Sequence, residues 1–591
     1  EVENKAWIRN PIDRFVLARL ESEGIEPAPE ADKRTLARRV ALDLTGLPPD
    51  SGTLASFIRD TSKRAYERLV DRLMKSKHWG EHRARYWLDA ARYGDTHGIH
   101  IDNYREMWSY RDWVIQAFNE NKSFDQFTME QIAGDLLPDP TLDQLIATGF
   151  HRCNITTNEG GVIPEEYEAI YAKDRVDTTG MVFLGLTVGC ATCHDHKFDP
   201  IAQREFYSLT AFFRNTTQYV MDGNVSDPPP ILVVPQDEDR ARWYDLRQEA
   251  AEIKKMIKNR ATAVTPVFED WLLSEGYRFL QTPLERSAEL LSLTLDKERA
   301  LEIRGRQKKI GLYQGAVVGE GPHDNQPAIR FGEGSWAELP GLDLEIDKPF
   351  SIAIWVYQPK IVGNFAVVGQ FDPDDNSRGW ALTSSGRQLK FTLTGEKPAG
   401  KKKFKPLSIS PNNTKRLPAG RWTHIVVSYD GSRERSGLRL YWNGEVIEAE
   451  GGEFFTRVEG SIQTKQPLRL GKGISRRNTR SEPKASDFSG GGLADLRIFD
   501  RQITAQEAKV VSLWSRVKNT TVKEPDKLSK EEREVLRLYY LSVKDPENRR
   551  LAARQKDMEK EWREIRRSGA ITHVMQERVD RKAQAHVLYR G

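Results

Sequence analysis

Apolar positions in the first third of the chain recur every three or four residues, and this spacing predicts helix after helix up to residue 226. Asn10-Pro11 places a proline at a helix start, and Ile12, Phe15, Val16, Arg19 and Leu20 follow at helical spacing up to Gly24, which suits the position just past a helix end. Further helical patterns run over 31–44, 63–75, 82–92, 104–119 and 124–136, punctuated by Pro48-Pro49, Gly94 and Pro138. Trp79, Tyr86, Trp87, Tyr104, Trp108, Tyr110 and Trp113 form an aromatic belt of helix-packing anchors.

Beyond Asp227-Pro228-Pro229-Pro230, which reads as a stiff linker, Trp243, Leu246, Ala250, Ile253 and Ile257 step by three and four. A matching seam returns at Leu551, Met558, Trp562 and Ile565, so the two helices are expected to pack antiparallel as a coiled-coil-like hairpin, the alternative being two amphipathic helices packed on separate bodies. Between them the period changes to two. Ser351–Val356, Trp422–Tyr429 and Leu438–Trp442 alternate, and Asn443-Gly444 is a hairpin turn signal. Many short strands at regular spacing predict an antiparallel sandwich or jelly roll. The expected organisation is a multidomain chain. An all-α domain covers 1–226 and a linker with a helical arm covers 227–299. A β-sandwich inserted between the arms covers 300–505, and the returning arm covers 506–572.

A length of 591 residues exceeds what one hydrophobic core serves, in keeping with several domains. Lys+Arg at 90 against Asp+Glu at 86 is close to balance, which argues against a nucleic-acid binder. No stretch reaches the ~18 consecutive apolar residues of a membrane helix, the longest being Met181–Ala191, so no transmembrane segment is expected. The chain opens at Glu1 without a signal peptide, as a mature or trimmed product would.

With only three cysteines, Cys153, Cys190 and Cys193, a disulfide scaffold is excluded. Cys190-Ala191-Thr192-Cys193-His194 is C-x-x-C-H, the attachment signature of c-type haem. Two thiols three residues apart can each add to one haem vinyl group, and the adjacent imidazole then meets the iron. A thioredoxin-like pair would want a βαβ context, whereas the flanks here are helical in pattern. A zinc half-site would want two more ligands. One covalent haem c is therefore expected, with His194 as axial ligand. His196 is too near in sequence to cap the opposite face. Candidates for the distal position are His97, His100 and His151, with Met181 as a further possibility. If the iron is open, acid–base groups are needed; Glu159, Glu165, Glu166 and Asp177 are candidates, together with His97 and His100. Arg152 and Arg175 are candidates for anion or propionate contacts, and Cys153 reads as a buried thiol.

Several separated segments resemble the planctomycete-type cytochrome c family of exported bacterial proteins: Trp7–Val16, Leu42–Pro49, Tyr110–Val114, Gln131–Pro138 and Cys190–Pro200. The resemblance spans about residues 5–220. In that family a companion domain follows, and 573–591 resembles its opening, which implies a longer protein with that companion domain as a partner. The β region resembles laminin-G-like, concanavalin-type jelly rolls at Ala328–Phe331, Phe350–Val356, Gly420–His424 and Leu493–Phe499. Such folds often bind calcium, for which Asp372, Asp374, Asp375 and Asn376 could supply oxygen ligands.

Haem c is attached outside the cytoplasm, so a periplasmic or cell-surface location is expected. The resulting expectation is an exported mono-haem c-type cytochrome acting as an oxidoreductase on polysaccharide or related glycans. The jelly roll would hold the carbohydrate or a partner, and a redox partner protein would exchange electrons. The alternative is an electron-transfer or scaffold cytochrome with no substrate chemistry of its own. High-spin iron open to exogenous ligands would mark the first, and closed low-spin iron the second.

Overall fold

The structure, a computed structural model, describes residues 2–588 except 100, 224–226, 281, 285–287, 294, 296–299, 304–305, 314, 324–325, 360–363, 386, 398–405, 412–415, 448, 451–456 and 473–487. The chain divides into two compact units, residues 1–234 with 569–591, and residues 235–568.

The first unit is helical. Its helices are α1 (Pro11–Ser22), α2 (Lys33–Thr45), α3 (Ser51–Arg59), α4 (Ala65–Met74), α5 (Lys77–Ala90), α6 (Trp108–Asn119), α7 (Phe124–Ala133), α8 (Leu142–Ala147), α9 (Pro164–Thr179) and α10 (Gln203–Arg214). In α1, Asn10 accepts from the Ile12 and Asp13 amides while Asp13 accepts from the Asn10 amide, a reciprocal cap ahead of Pro11. Gly24 follows the helix end at φ 68°. The helix expected from 82 begins earlier, because Ser76 caps it. The one expected from 104 begins at Trp108, because Tyr104 is held in an extended bridge with Thr96.

Ala37, Val40, Phe57, Leu69 and Leu73 close one core between α2, α3 and α4. Tyr110, Trp113, Phe127, Ile146 and Phe150 close a second. There the polar tips of Trp87 and Tyr110 both donate to Gln131 Oε1, at 2.9 and 2.7 Å, so the aromatic belt is buried without orphaned donors at those two tips.

Two expectations about boundaries change. The proline run is an integral part of this unit. The buried Arg152 guanidinium donates to the carbonyls of Pro228 (2.9 Å), Pro230 (2.6 Å) and Val574 (3.0 Å), because prolines lack an N–H but keep their acceptors. Residues 573–588 likewise complete the helical unit. Strand Ala570–His573 pairs antiparallel with Ile231–Val234, Ile231 opposite His573. After it Met575 donates to Thr148 (2.8 Å) and Glu577 to Asp135 (2.7 Å). Arg581 then reaches Glu168 at 3.1 Å, and Leu588 packs beside the core of α9 and α10. The last three residues lie outside the described ones.

The second unit holds the arms and the sandwich. Its helices are α11 (Arg240–Ala263), α12 (Thr265–Leu273), α13 (Ala505–Ser512), α14 (Trp514–Thr520), α15 (Lys530–Tyr539) and α16 (Pro546–Ser568). α11 and α16 run antiparallel. Trp243 stacks on Trp562 at 5.2 Å near one end, and Arg260 pairs with Asp545 at 2.5 Å near the other.

Two antiparallel sheets face each other. One is centred on Phe350–Tyr357, flanked by Trp422–Tyr429 and Gly492–Phe499. The other is centred on Asn364–Asp372 and Arg378–Ser385, with Gln388–Thr394 beside them. Ile352, Ile354, Val356, Ile425 and Val427 from the first meet Val368, Leu382, Phe391 and Leu393 from the second, as alternation requires. The early strand Glu289–Ser292 lies beside the late strand Gly492–Phe499. Both ends of the sandwich therefore leave from one place, which lets it sit as an insertion between two arm helices.

Candidate functional site

The motif segment Cys190–His194 lies between α9 and α10. After α9 the chain makes a π-turn over Gly180–Leu184, reverses at Gly185 with φ 66°, and enters a short 3₁₀ helix, Val188–Thr192. Val188 and Ala191, three residues apart, are buried against Ala172, Val176, Phe206 and Tyr207. Residues three apart share a face of a 3₁₀ helix. Anchoring 188 and 191 inward accordingly leaves Cys190 and Cys193 outward, and both are exposed and not joined in a disulfide. The segment is fixed from α10, where the Tyr207 hydroxyl and Gln203 Nε2 both donate to the Thr192 carbonyl, at 3.1 and 3.0 Å. Asp195 accepts the Gln203 amide at 2.8 Å.

His194 is exposed, and its Nδ1 lies 2.7 Å from the Asp195 carbonyl. The ring proton therefore sits on Nδ1, and Nε2 keeps its lone pair. His196 has a different role. Its Nδ1 accepts the amides of Asp199 (2.9 Å) and Phe198 (3.3 Å), and its side chain is 5% exposed, so it ties off the turn before α10.

Gly189 rests against Asp177 of α9, and a Cβ added there would come within 2.8 Å of Asp177 Oδ1. Burial, helped by Asp174, holds the Asp177 carboxyl above its ordinary pKa, with Arg92 and Lys173 acting the other way. Asp174 itself pairs with Arg92 at 2.6 Å.

The donor set fits a thioether-bound haem: two outward thiols on one face, and an imidazole whose Nδ1 is oriented by a backbone carbonyl as metal-bound histidines require. Met181, Leu184 and Phe198, on the turns either side of the motif in the chain, are exposed apolar side chains, at 50, 61 and 83%. Cys190, Cys193 and His194 would hold such a group.

The remaining candidates are placed elsewhere. His97 is buried, with Nδ1 accepting the Ile99 amide at 3.4 Å and Nε2 4.0 Å from Asp222 Oδ2. Asp222 also accepts from Thr156 at 2.8 Å and lies 3.8 Å from Arg105, which donates to the same Thr156 hydroxyl. Burial keeps His97 below its ordinary pKa against the pull of Asp222. His151 is walled in by Phe150 and Phe213, ring centres 5.1 and 5.0 Å away, and burial followed by Arg175 pushes it down to about 3. Phe213, which borders His151, lies near the end of α10, ten residues or about 15 Å along the axis from Gln203. His100 lies outside the described residues.

Glu165 and Glu166 are exposed in the first turn of α9, where the helix dipole favours carboxylates. They are roughly 17 Å along the axis from Asp177. Of the four carboxylates proposed from the sequence, Asp177 is the one beside the motif; Glu159 is exposed, its amide bonded to Thr157 at 3.2 Å. Arg152 and Arg175 are buried and committed, the latter to the His151 carbonyl (3.2 Å) and Asn154 (3.3 Å), so neither is placed for an external anion. Cys153 donates to the Gly149 carbonyl at 3.5 Å, and burial pushes its thiol up to about 12.

The residues considered for calcium lie in the second unit. Asp372, Asp374 and Asp375 form the acidic turn of a hairpin, with Asp372 accepting the Asp374 amide (3.0 Å) and Asp375 paired to Arg378 (2.9 Å). Among the described residues no three His, Cys, Asp or Glu side chains gather as a metal site. No helix of the described residues is long and apolar enough to cross a membrane.

No local sequence signal marks Arg105, Thr156 and Asp222. They come from three separate segments, and only the fold brings them to His97.

An α-helical domain followed by an inserted concanavalin-like sandwich is the class of protein this architecture defines. Residues 11–218 match the family model PSCyt2, described as a protein of unknown function (DUF1549). Residues 331–509 match Laminin_G_3, the concanavalin A-like lectin/glucanases superfamily. No curated protein matches the chain. Among solved structures, the binding domain of Paraclostridial Mosquitocidal Protein 1 is similar with a TM-score of 0.30 at 15% identity, over 39% of this chain and 52% of that one. The botulinum neurotoxin serotype D binding domain gives 0.28 at 14%, over 39% and 52%. The serotype G binding domain gives 0.27 at 17%, over 39% and 51%. This chain spans about half the length of each, and likenesses at these TM-scores carry no argument.

Proposed function

We propose that the helical unit holds one haem c through Cys190 and Cys193 with His194 as axial ligand. On this reading the protein is an exported oxidoreductase acting on polysaccharide or related glycans, with the concanavalin-like domain holding the carbohydrate. The observation that carries the reading is the outward pair of thiols beside an imidazole whose Nδ1 is fixed on the Asp195 carbonyl. The bound group would supply one-electron redox chemistry.

The chain's own residues do the rest. Val188 and Ala191 anchor the segment, while Tyr207 and Gln203 hold the Thr192 carbonyl in place. Asp177, beside Gly189, is held above the ordinary carboxylate pKa by burial and is a candidate acid for proton transfer. His97 Nε2 lies 4.0 Å from Asp222, and His151 is enclosed by Phe150 and Phe213. Thioether attachment outside the cytoplasm makes the location periplasmic or cell-surface, with a redox partner protein as electron source or sink.

The test is oxidation or cleavage of a glycan panel by the haem-loaded chain with peroxide or an electron acceptor, run beside the Cys190→Ala/Cys193→Ala variant. Turnover lost in the variant is the expected result. No turnover, with iron that ignores cyanide, would favour the carrier reading.

A further inference from the structure

Helix α11 packs against α16 along one seam, where Trp243, Leu246 and Ile253 are buried. Charges beside that seam are answered. Arg242 pairs with Glu561 at 2.6 Å and with Glu249 at 2.7 Å, and Arg260 pairs with Asp545 at 2.5 Å.

Another face of the same helix carries charge without an answer. Arg247, Lys254, Lys255 and Lys258 are exposed, and no carboxylate among the described residues pairs with any of them. Helical spacing places the four within an arc of about 100° and along about 16 Å of axis. Arg240, already paired with Asp237 at 3.2 Å, shares that arc with Tyr244, Ala251 and Thr262. The acids Asp245, Glu249 and Glu252 fall outside it. Lys258 stands four residues from Lys254 and three from Lys255, spacings at which like charges destabilise a helix.

The shape of the charge decides the kind of partner. A small anion between Lys254 and Lys258 would leave Arg247 about 10 Å away along the axis. A lipid surface is met by cations flanking a band of large apolar side chains, whereas this arc offers Ala251 and Thr262. A nucleic-acid binder carries a broad basic excess, and here Lys+Arg is 90 against Asp+Glu at 86. A linear polymer with an acid on successive sugar rings presents its anions in a row and can meet all four cations at once. The arm is also tied to the sandwich, because Arg563 of α16 pairs with Asp430 at 2.8 Å and Arg567 with Glu434 at 2.9 Å. The cationic face and the concanavalin-like domain therefore belong to one compact unit.

We propose that this face of α11 binds a linear acidic polysaccharide, carboxylated or sulfated, lying along the helix. The choice of a glycan among polyanions rests on the glycan reading of the chain, whereas the anionic character rests on the four cations alone.

Calorimetry on the full chain without haem tests this, with polygalacturonate, dextran sulfate, dextran, a DNA duplex and vesicles containing an anionic phospholipid as probes. At least one acidic polysaccharide should bind about tenfold or more tightly than dextran, the duplex and the vesicles. The stronger of the two identifies the acid. Raising salt from about 50 to about 200 mM should weaken that binding tenfold or more. Arg247→Gln/Lys254→Gln/Lys255→Gln/Lys258→Gln should lose it with the thermal transition unchanged, since all four side chains are exposed. Lys390→Gln/Lys465→Gln/Lys518→Gln/Lys527→Gln removes the same charge from other exposed positions of the unit and should bind as the parent does. Equal binding of dextran, of the duplex or of the vesicles, no binding of either acidic polymer, binding that survives the α11 variant, or equal loss in the second variant would overturn the proposal. Each readout is independent of haem. A chain that oxidises glycans but binds no acidic polymer through α11 refutes this assignment and leaves the redox reading standing.

Discussion

The Nδ1 of His194 stands 2.7 Å from the carbonyl oxygen of its neighbour Asp195, while two residues on the Nδ1 of His196 accepts the Asp199 amide at 2.9 Å. The same ring atom donates in one histidine and accepts in the other, so their free nitrogens differ. His194 offers a lone pair at Nε2, and His196 offers a proton.

The two histidines should separate cleanly by substitution. His194→Ala should leave the thioether-bound pigment on the chain but shift its visible spectrum through loss of the axial ligand. His196→Ala should leave the spectrum unchanged and lower unfolding free energy by about 1–2 kcal/mol through the loosened turn. Absorption spectra and urea unfolding read the two effects.

Asp177 and Gly189 predict a coupled pair. Gly189→Ala drives a methyl to 2.8 Å from Asp177 Oδ1 and should cost about 1–3 kcal/mol. Because the folded state raises the Asp177 pKa, it binds a proton that the unfolded chain has released, and stability falls as pH rises from the ordinary carboxylate value of 3.8 through the folded one. Asp177→Asn should remove that decline and be more stable than the parent at neutral pH. Urea midpoints at pH 4 and 7 decide it.

His97 Nε2 stands 4.0 Å from Asp222 Oδ2, and its Nδ1 accepts the Ile99 amide of its own loop. His97→Ala should leave the haem spectrum unchanged, and the parent should bind cyanide. A spectral change in the variant would place His97 on the iron.

His424, on strand Trp422–Tyr429, is fully buried and pushed down to about 3, first by burial and then by Arg497 and His323. A histidine kept neutral in the fold but charged when unfolded contributes stability present above about pH 6.5, lost as pH falls toward 3. The sandwich should lose a few kcal/mol over that window, and His424→Leu should flatten the slope. Thermal unfolding of the full chain from pH 7 to 4 measures it.

Local pattern carried much of the fold. Trp422–Tyr429 and Leu438–Trp442 are strands with the bounds their alternation predicts, and Asn443-Gly444, at φ 49° and 82°, turns the hairpin as expected. The arm seam was legible because Trp243 and Trp562 each mark a helical stripe. What distance in sequence conceals was not legible. Ile231–Val234 finds its partner 336 or more residues later, and Asp227–Pro230 reads as linker until Arg152 is seen donating to its carbonyls. In the site, the C-x-x-C-H spacing is a local signal and was readable. The surroundings of His97 and His151 depend on Asp222 and Phe213, which no local rule ties to them.

The account stands or falls on whether the thiols of Cys190 and Cys193 carry a porphyrin. The full chain, produced with a haem c maturation system, should show a Soret band and give haem-dependent peroxidase staining that migrates with the polypeptide on a denaturing gel. Both signals should disappear in Cys190→Ala/Cys193→Ala. A colourless parent protein, or pigment that acid-acetone strips from the chain, would contradict it.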